Sequence, residues 1–160
     1  MVVVVMGVAG SGKTTVGRLL AEQRGWLFFD ADDFHPPENV EKMRRGIGLT
    51  DADREPWLDA LAAKIRALAD AGQSAVLACS ALKQSYRDRL AVDPAVRFVH
   101  LTGTPELLRK RLEERKGHYA HADLLASQLA ALEPPSGVPT FDVEPPPDVI
   151  VAEIRKALGV

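Results

Sequence analysis

Gly7-Val8-Ala9-Gly10-Ser11-Gly12-Lys13-Thr14 meets the pattern G-x-x-x-x-G-K-[ST] at every fixed position. Glycines so spaced let successive backbone N–H groups turn toward phosphate oxygens at the start of a helix, where a side chain would block the approach. Upstream, the run from Val2 to Met6 is apolar and rich in β-branched residues, as in a strand buried on both faces. Downstream, residues 15–24 carry Val16, Leu19 and Leu20 at helical spacing. Strand, glycine loop and helix in that order form a phosphate cradle. Its nucleotide-binding set is Gly7, Ala9, Gly10, Ser11, Gly12, Lys13, Thr14 and Thr15. Lys13 is expected to reach the β- and γ-phosphates of ATP, and the Thr14 hydroxyl to ligate the Mg2+ that bridges them.

The rest of the composition is compatible with one soluble domain. At 160 residues the chain can bury about two thirds of its unfolded surface in a single core. Hydrophobic residues make up 46% and charged residues 26%, which suggests neither disorder nor membrane insertion. The apolar start is too short for a signal or membrane-spanning segment, and the glycine loop interrupts it. A formal net charge of -2 gives no global attraction to nucleic acid or to an anionic membrane, so the partner expected is a small molecule. The single cysteine, Cys79, excludes an internal disulfide and fits a reducing cytoplasm. It ends an apolar run and reads as a small buried hydrophobe.

After the first helix, Gly25 is a C-cap, and Trp26-Leu27-Phe28-Phe29 reads as a second buried strand. Asp30-Ala31-Asp32-Asp33-Phe34-His35 then places three carboxylates and an imidazole at that strand's C-terminal end, where open α/β sheets bind their ligands. In an extended segment Asp30 and Asp32 share one face. Asp30 is assigned to the magnesium shell and Asp32 to the proton of an attacking hydroxyl; the competing reading is a solvated acidic turn. Pro36-Pro37 precedes a short helix over residues 38–45, closed by Gly46-Ile47-Gly48. Residues 49–56 supply cap and breaker residues ahead of an amphipathic helix with Trp57, Leu58, Leu61, Ile65 and Leu68 on one side. Arg54, just before that helix, either faces a pocket and forks onto a substrate carboxylate or is a solvated surface arginine.

Gly72 closes the helix, and Ala75-Val76-Leu77-Ala78-Cys79 is a third buried strand leading into Ser80, Lys83 and Arg87. A serine and two cations just past a strand end suggest a second wall of the same site, against the alternative of a solvated basic face. Arg97-Phe98-Val99-His100-Leu101 is a fourth strand. The helix begun by Pro105 turns basic in its second half, where Arg111 and Arg115 project from one face, either toward a nucleotide or into solvent. Gly117-His118-Tyr119-Ala120-His121 reads as a lid segment or an ordinary loop. A helix over residues 122–132, a fifth strand at Thr140-Phe141-Asp142-Val143 and a last helix over residues 148–158 complete the chain, with no internal repeat. The alternation predicts an α/β protein: a P-loop NTPase with a five-stranded parallel sheet, helices on both faces and a small lid at about residues 115–122.

As a set, these residues resemble the gluconate kinases, small P-loop enzymes that phosphorylate D-gluconate to 6-phosphogluconate. The family pattern D-G-D-x-F-H-P-x-x-N-x-x-K-M-x-x-G-x-P-L-x-D-x-D-R-x-P-W-L is met by Asp30, Asp32, Phe34, His35, Pro36, Asn39, Lys42, Met43, Gly46, Leu49, Asp51, Asp53, Arg54, Pro56, Trp57 and Leu58. C-S-A-L-K-x-x-Y-R appears as Cys79, Ser80, Ala81, Leu82, Lys83, Tyr86 and Arg87. R-L-x-x-R-K-G-H appears as Arg111, Leu112, Arg115, Lys116, Gly117 and His118, and S-Q-x-x-x-L-E-P runs from Ser127 and Gln128 to Leu132, Glu133 and Pro134. The resemblance implies ATP and Mg2+ as cofactors, D-gluconate as substrate and a homodimer. It implies that Lys13 and Arg115 steady the transferred phosphoryl group, that Asp32 deprotonates the hydroxyl, and that Arg111 packs on adenine. His35, Arg54, Ser80, Lys83, Arg87 and His118 are the expected substrate ligands beside Asp32. Departures from the pattern are Ala31 for glycine, Gly48 for proline, and Ala120-His121 for a hydrophobic residue and proline. The methyl of Ala31 is expected beside the acceptor site, and Gly48 and Ala120 to loosen their loops. Rival readings are a kinase for another small acid such as shikimate, which the long Asp30 to Trp57 match disfavours, and a nucleotide-responsive binding module.

Overall fold

Five parallel strands form one sheet in the order β2-β3-β1-β4-β5. The computed structural model of the protein describes residues 1–114 and 121–160, and for residues 121–123 the backbone alone. The strands are β1 (Val2–Met6), β2 (Leu27–Asp30), β3 (Ala75–Ala78), β4 (Val96–Thr102) and β5 (Thr140–Asp142). Seven helices are described: α1 (Lys13–Arg24), α2 (Pro37–Arg44), α3 (Asp51–Asp70), α4 (Gln84–Leu90), α5 (Pro105–Glu114), α6 (His121–Ala131) and α7 (Pro147–Leu158).

β1 is central because it can be buried on both sides. Its five residues are all buried, and it pairs with β3 (Val2 opposite Ala75) and β4 (Val2 opposite Val96). Alternation along the strand divides the core. Val3 and Val5 enter one layer with Val16 and Leu20 of α1, Leu108 and Leu112 of α5, Leu125 of α6 and Ile150 and Ile154 of α7. Val2, Val4 and Met6 enter the other with Trp57, Leu58, Leu61, Ile65 and Leu68 of α3 and Tyr86 and Leu90 of α4. Each such fully buried aliphatic side chain contributes about 1.5–3 kcal/mol relative to exposure.

Several elements depart from expectation. β2 begins at Leu27 rather than Trp26 and is an edge strand, with Leu27 45% exposed and Phe28, Phe29 and Asp30 half-buried. Its aromatic faces are covered by cations instead of by sheet, the Arg18 guanidinium lying 4.7 Å from the Phe28 ring centre and the Lys64 ammonium 4.5 Å from that of Phe29. α3 starts at Asp51, so Arg54 lies inside the helix and Pro56 is tolerated as its sixth residue. Thr50 sets that start through a capping box: its Oγ1 accepts from the Asp53 N–H (3.0 Å), and Asp53 Oδ2 accepts from the Thr50 N–H (2.9 Å). The expected lid at residues 115–122 lies mostly outside the described residues; residues 121 and 122 open α6.

β1 lies between β3 on one side and β4 on the other, so the chain leaves its C-terminal end at the place where the strand order reverses. There the loop to α1 opens into the crevice that α/β sheets use for ligands.

Candidate active site

The loop after β1 is shaped by contacts a side chain would forbid. A Cβ on Gly7, at φ +154°, would come within 2.7 Å of the Leu101 carbonyl oxygen, and one on Gly10, at φ +83°, within 2.8 Å of that of Leu108. Several of the loop's polar groups are spoken for: the Gly7 N–H donates to the Ser80 carbonyl (3.4 Å), the Ser11 N–H and Oγ to the Val8 carbonyl (3.2 and 2.7 Å), and Lys13 Nζ to the same carbonyl (3.2 Å). Ala9, expected among the nucleotide ligands, has its N–H bonded to Gln128 Oε1 at 2.6 Å. α1 opens at Lys13 behind an N-cap, Gly12, that makes no side-chain cap bond and brings no side chain over the first turn. Such a helix end attracts anions. Beside it, Gly10, Ser11, Gly12 and Thr15 face Arg111, Pro145, Pro147 and Ile150 across a cavity of about 220 Å³.

Next to α1, the carboxylates take a different form from the extended one expected. Residues Ala31–Phe34 make a single 3-10 turn, and the Asp32 N–H donates to Asp30 Oδ1 at 3.0 Å. Asp30 is thus the cap of this turn, and its Oδ2 accepts from Thr14 Oγ1 at 3.2 Å. Two hard oxygen groups meet there, the donor chemistry that magnesium takes. Asp32 opens to the cleft, yet the surrounding protein strips it of enough water to raise its carboxyl above the ordinary 3.8. Asp30 adds to that rise, Lys13 opposes it, and Asp33 adds a smaller part. The Ala31 methyl, expected beside the acceptor, is instead buried in the core layer with Trp57, whose Nε1–H donates to the Ala31 carbonyl at 2.7 Å.

The opposite wall comes from α2, α3 and the loop after β3. His35 stacks on Trp57, ring centres 4.5 Å apart and planes at 11°. Asn39, 2% exposed, donates through Nδ2 to the Asp53 carbonyl (2.7 Å) and faces His35 Nδ1 at 3.2 Å. The carbonyl can only accept, so Nδ2 is the amide nitrogen, His35 Nδ1 is an acceptor, and the ring proton sits on Nε2. Burial, with a smaller push from Arg54, lowers the His35 pKa below 6.5, so the ring is neutral at pH 7 and offers one N–H.

Arg54, Lys83 and Tyr86 converge on the carboxylate of Asp51. Tyr86 Oη donates to it at 2.5 Å and Lys83 Nζ at 3.0 Å, while Arg54 Nη1 donates to Tyr86 Oη at 3.2 Å and lies 3.8 Å from Asp51. These bonds hold the Asp51 carboxyl below its usual range and push the Lys83 ammonium up. Ser80 is half-buried at the end of β3 and reaches the P-loop through its carbonyl.

Arg87 departs from its expected place among the substrate ligands. It is 3% exposed and donates to the carbonyls of Ala81 (2.7 Å), Leu82 (3.1 Å) and Glu133 (2.8 Å) and to Gln84 Oε1 (3.2 Å), with only its buried Nε unpaired. Its guanidinium therefore clamps a loop strained at Ala81, whose φ is +46°. Cys79 is buried, and loss of water pushes its thiol up to about 12, so it is inert filler as expected. Arg115 and His118 lie outside the described residues.

A family model described as an AAA domain matches residues 2–135. The gluconokinase of Gluconobacter oxydans is 50% identical over 94% of this chain and 87% of that protein. A probable gluconokinase of Xenopus tropicalis is 47% identical over 97% of this chain and 92% of that protein. The chain belongs to the gluconokinase family. A solved gluconokinase from Sinorhizobium meliloti superposes with a TM-score of 0.88 at 42% identity, covering 98% of this chain and 90% of that one.

Several positions of the gluconokinase pattern that carried no role in the sequence have a place in the structure. Asn39 orients His35, Lys42 binds both oxygens of Asp53 (3.0 and 2.8 Å), and Asp51 and Tyr86 organise Arg54 and Lys83. Gln128 was legible only as a member of the late gluconokinase motif; no spacing rule links a residue of α6 to the P-loop.

Proposed function

We propose that this chain transfers the γ-phosphoryl group of Mg-ATP to the 6-hydroxyl of D-gluconate, giving ADP and 6-phospho-D-gluconate. One observation carries the reading: a helix N-terminus open to phosphate stands beside a cleft carboxylate of raised pKa, with a carboxylate-gathering wall opposite. Membership of the gluconokinase family supports gluconate over shikimate as the acceptor.

In this reaction the first turn of α1 and Lys13 bind the phosphates, and Arg111 borders the cavity assigned to the nucleotide's adenine. Thr14 and Asp30 hold the Mg2+ shell, which when bound supplies neutralisation of the phosphate charge. Asp32 takes the proton of the 6-hydroxyl as its oxygen forms the new bond to phosphorus, and the bond to the β-phosphate oxygen breaks with its electron pair leaving on ADP. His35 Nε2–H donates to a substrate hydroxyl. We assign the substrate carboxylate to Arg54, Lys83 and Tyr86, which already gather one carboxylate, that of Asp51. Arg115 and His118 complete the phosphoryl and substrate contacts by family resemblance, and Arg87 supports the wall. Catalysis is positioning and charge neutralisation, which suits a site built at the C-terminal ends of the strands.

For its setting we propose the cytoplasm and a homodimer without nucleic-acid or membrane partner. Among the described residues no helix is long and apolar enough to cross a membrane.

A coupled assay of ADP release with Mg-ATP and D-gluconate tests the reaction, with shikimate, gluconate-free and Lys13→Ala controls. Turnover is expected with gluconate alone and lost in the variant. ATP binding without gluconate-dependent turnover overturns the acceptor. Light scattering on the same preparation is expected to read two chains per particle, and one chain refutes the dimer.

A further inference from the structure

The run Ser127-Gln128 to Leu132-Glu133-Pro134 takes no part in the reaction as derived, yet it touches both halves of the site. Gln128 lies on the inward side of α6, three residues after buried Leu125 and four before Leu132, which packs against both core layers. Its Oε1 accepts from the Ala9 N–H at 2.6 Å. That N–H belongs to the same peptide unit as the Val8 carbonyl, which accepts from Lys13 Nζ (3.2 Å), Ser11 Oγ (2.7 Å) and the Ser11 N–H (3.2 Å). One peptide plane is thus gripped on its nitrogen side by α6 and on its oxygen side by the cradle. If that plane turns, the carbonyl that seats Lys13 turns with it.

The other end of this segment is equally fixed. The Glu133 N–H donates to the Leu82 carbonyl (2.8 Å), Glu133 Oε1 accepts from the Gln84 N–H (2.7 Å), and Arg87 Nη2 donates to the Glu133 carbonyl (2.8 Å). α6 therefore spans from the phosphate cradle to the acceptor wall, and Gln128 is its single side-chain bond to the cradle among the described residues.

We propose that Gln128 is a positioning residue for phosphoryl transfer, acting on Lys13 through the Val8–Ala9 peptide and so coupling α6 to the nucleotide. The proposal rests on the kinase reading above, which wild-type turnover and nucleotide binding test separately within the same experiment. Gln128→Met keeps the length and packing of the side chain but cannot accept the hydrogen bond; Gln128→Ala removes both. Full-length wild type and both variants are compared for kcat, for the KM of gluconate, for thermal unfolding, and for calorimetric affinity toward a non-hydrolysable ATP analogue with Mg2+. The affinity is measured again in a Lys13→Ala background.

The expected result is a loss of kcat of about tenfold in both variants, the scale of one net hydrogen bond, with the gluconate KM within about twofold. Analogue affinity falls by a similar factor and the effect disappears in the Lys13→Ala background, the non-additivity of residues acting as a unit. Wild-type kcat in Gln128→Met, or an affinity loss of equal size with and without Lys13, overturns the proposal.

Discussion

Asp32 is held by opposed forces. Loss of water and the neighbouring Asp30 favour its neutral form, while Lys13 favours the carboxylate, and the balance leaves its pKa raised above 3.8. A base of raised pKa accepts a proton more readily in the transition state but loses activity sooner on acidification. The acid limb of kcat/KM for gluconate is therefore expected to lie above 3.8. Asp32→Asn is expected to lower kcat by about 10²–10⁴-fold and to abolish that limb, with little change in thermal unfolding. A pH-rate profile of the wild type whose acid limb lies at or below 3.8 would count against the assignment. At this scale the sequence singled out candidate residues for the chemistry but not their conformation. Asp30 and Asp32 were legible as a pair, whereas the 3-10 turn depends on Asp30 capping the Asp32 N–H. Arg87 was legible as a cation near the site, but three carbonyl partners from two loops absorb it, and nothing local in the sequence signals them.

Among the elements, the first turn of α3 is the node that joins the wall proposed to hold the acceptor. Asp53 completes its capping box, and Lys42 and Thr50 hold its carboxyl down to about 2. Through Asn39 and Lys42 this turn fastens α2, and through Asp51 it fastens Tyr86 and Lys83 near the start of α4. Asn39→Ala leaves the Asp53 carbonyl and His35 Nδ1 without their partner, costing about 1–3 kcal/mol. It is expected to raise the KM of gluconate at least about fivefold, the effect of roughly 1 kcal/mol, and to leave the KM of ATP nearly unchanged. Steady-state kinetics with each substrate varied in turn checks this, and equal rises in both constants refute it. The elements themselves were largely legible, since β1 is a continuous apolar run and α3 and α7 carry apolar residues at helical spacing, and the misjudged boundaries have local causes. Pro56 looked like a breaker but removes only one intrahelical bond from a helix already started by Thr50. β2 looked like a buried strand because strand order, which puts it at the edge, is set by tertiary pairing.

For the whole molecule, acid sensitivity follows from two histidines on the α3–α4 side of the sheet, His35 against Trp57 and His100 in register with Met6. His35 is packed on Trp57 and faces Arg54; His100 on β4 is 7% exposed and feels Arg87. In both, burial first and the cation second lower the pKa below 6.5, so the folded chain keeps the rings neutral while the unfolded chain protonates them. Across the window between 6.5 and the folded values the unfolded state binds more protons, so stability falls as pH falls, and the loss levels off once the folded rings protonate too. Each ring adds at most about 1.4 kcal/mol per pH unit to that slope. A second limb belongs to Asp53, whose folded pKa of about 2 gives stability that is complete above 3.8 and lost between 3.8 and 2. Asp32 works the other way, because its raised carboxyl costs stability when ionised and that cost fades on acidification. Urea unfolding at half-unit steps from pH 7.5 to 5 is therefore expected to show a declining free energy that begins near 6.5. His35→Gln is expected to reduce the slope without moving the limb below 4. A flat profile between 7 and 5.5 in an Asp32→Asn background, which removes the one carboxyl shifted in the opposing direction among the described residues, refutes the neutral-histidine account.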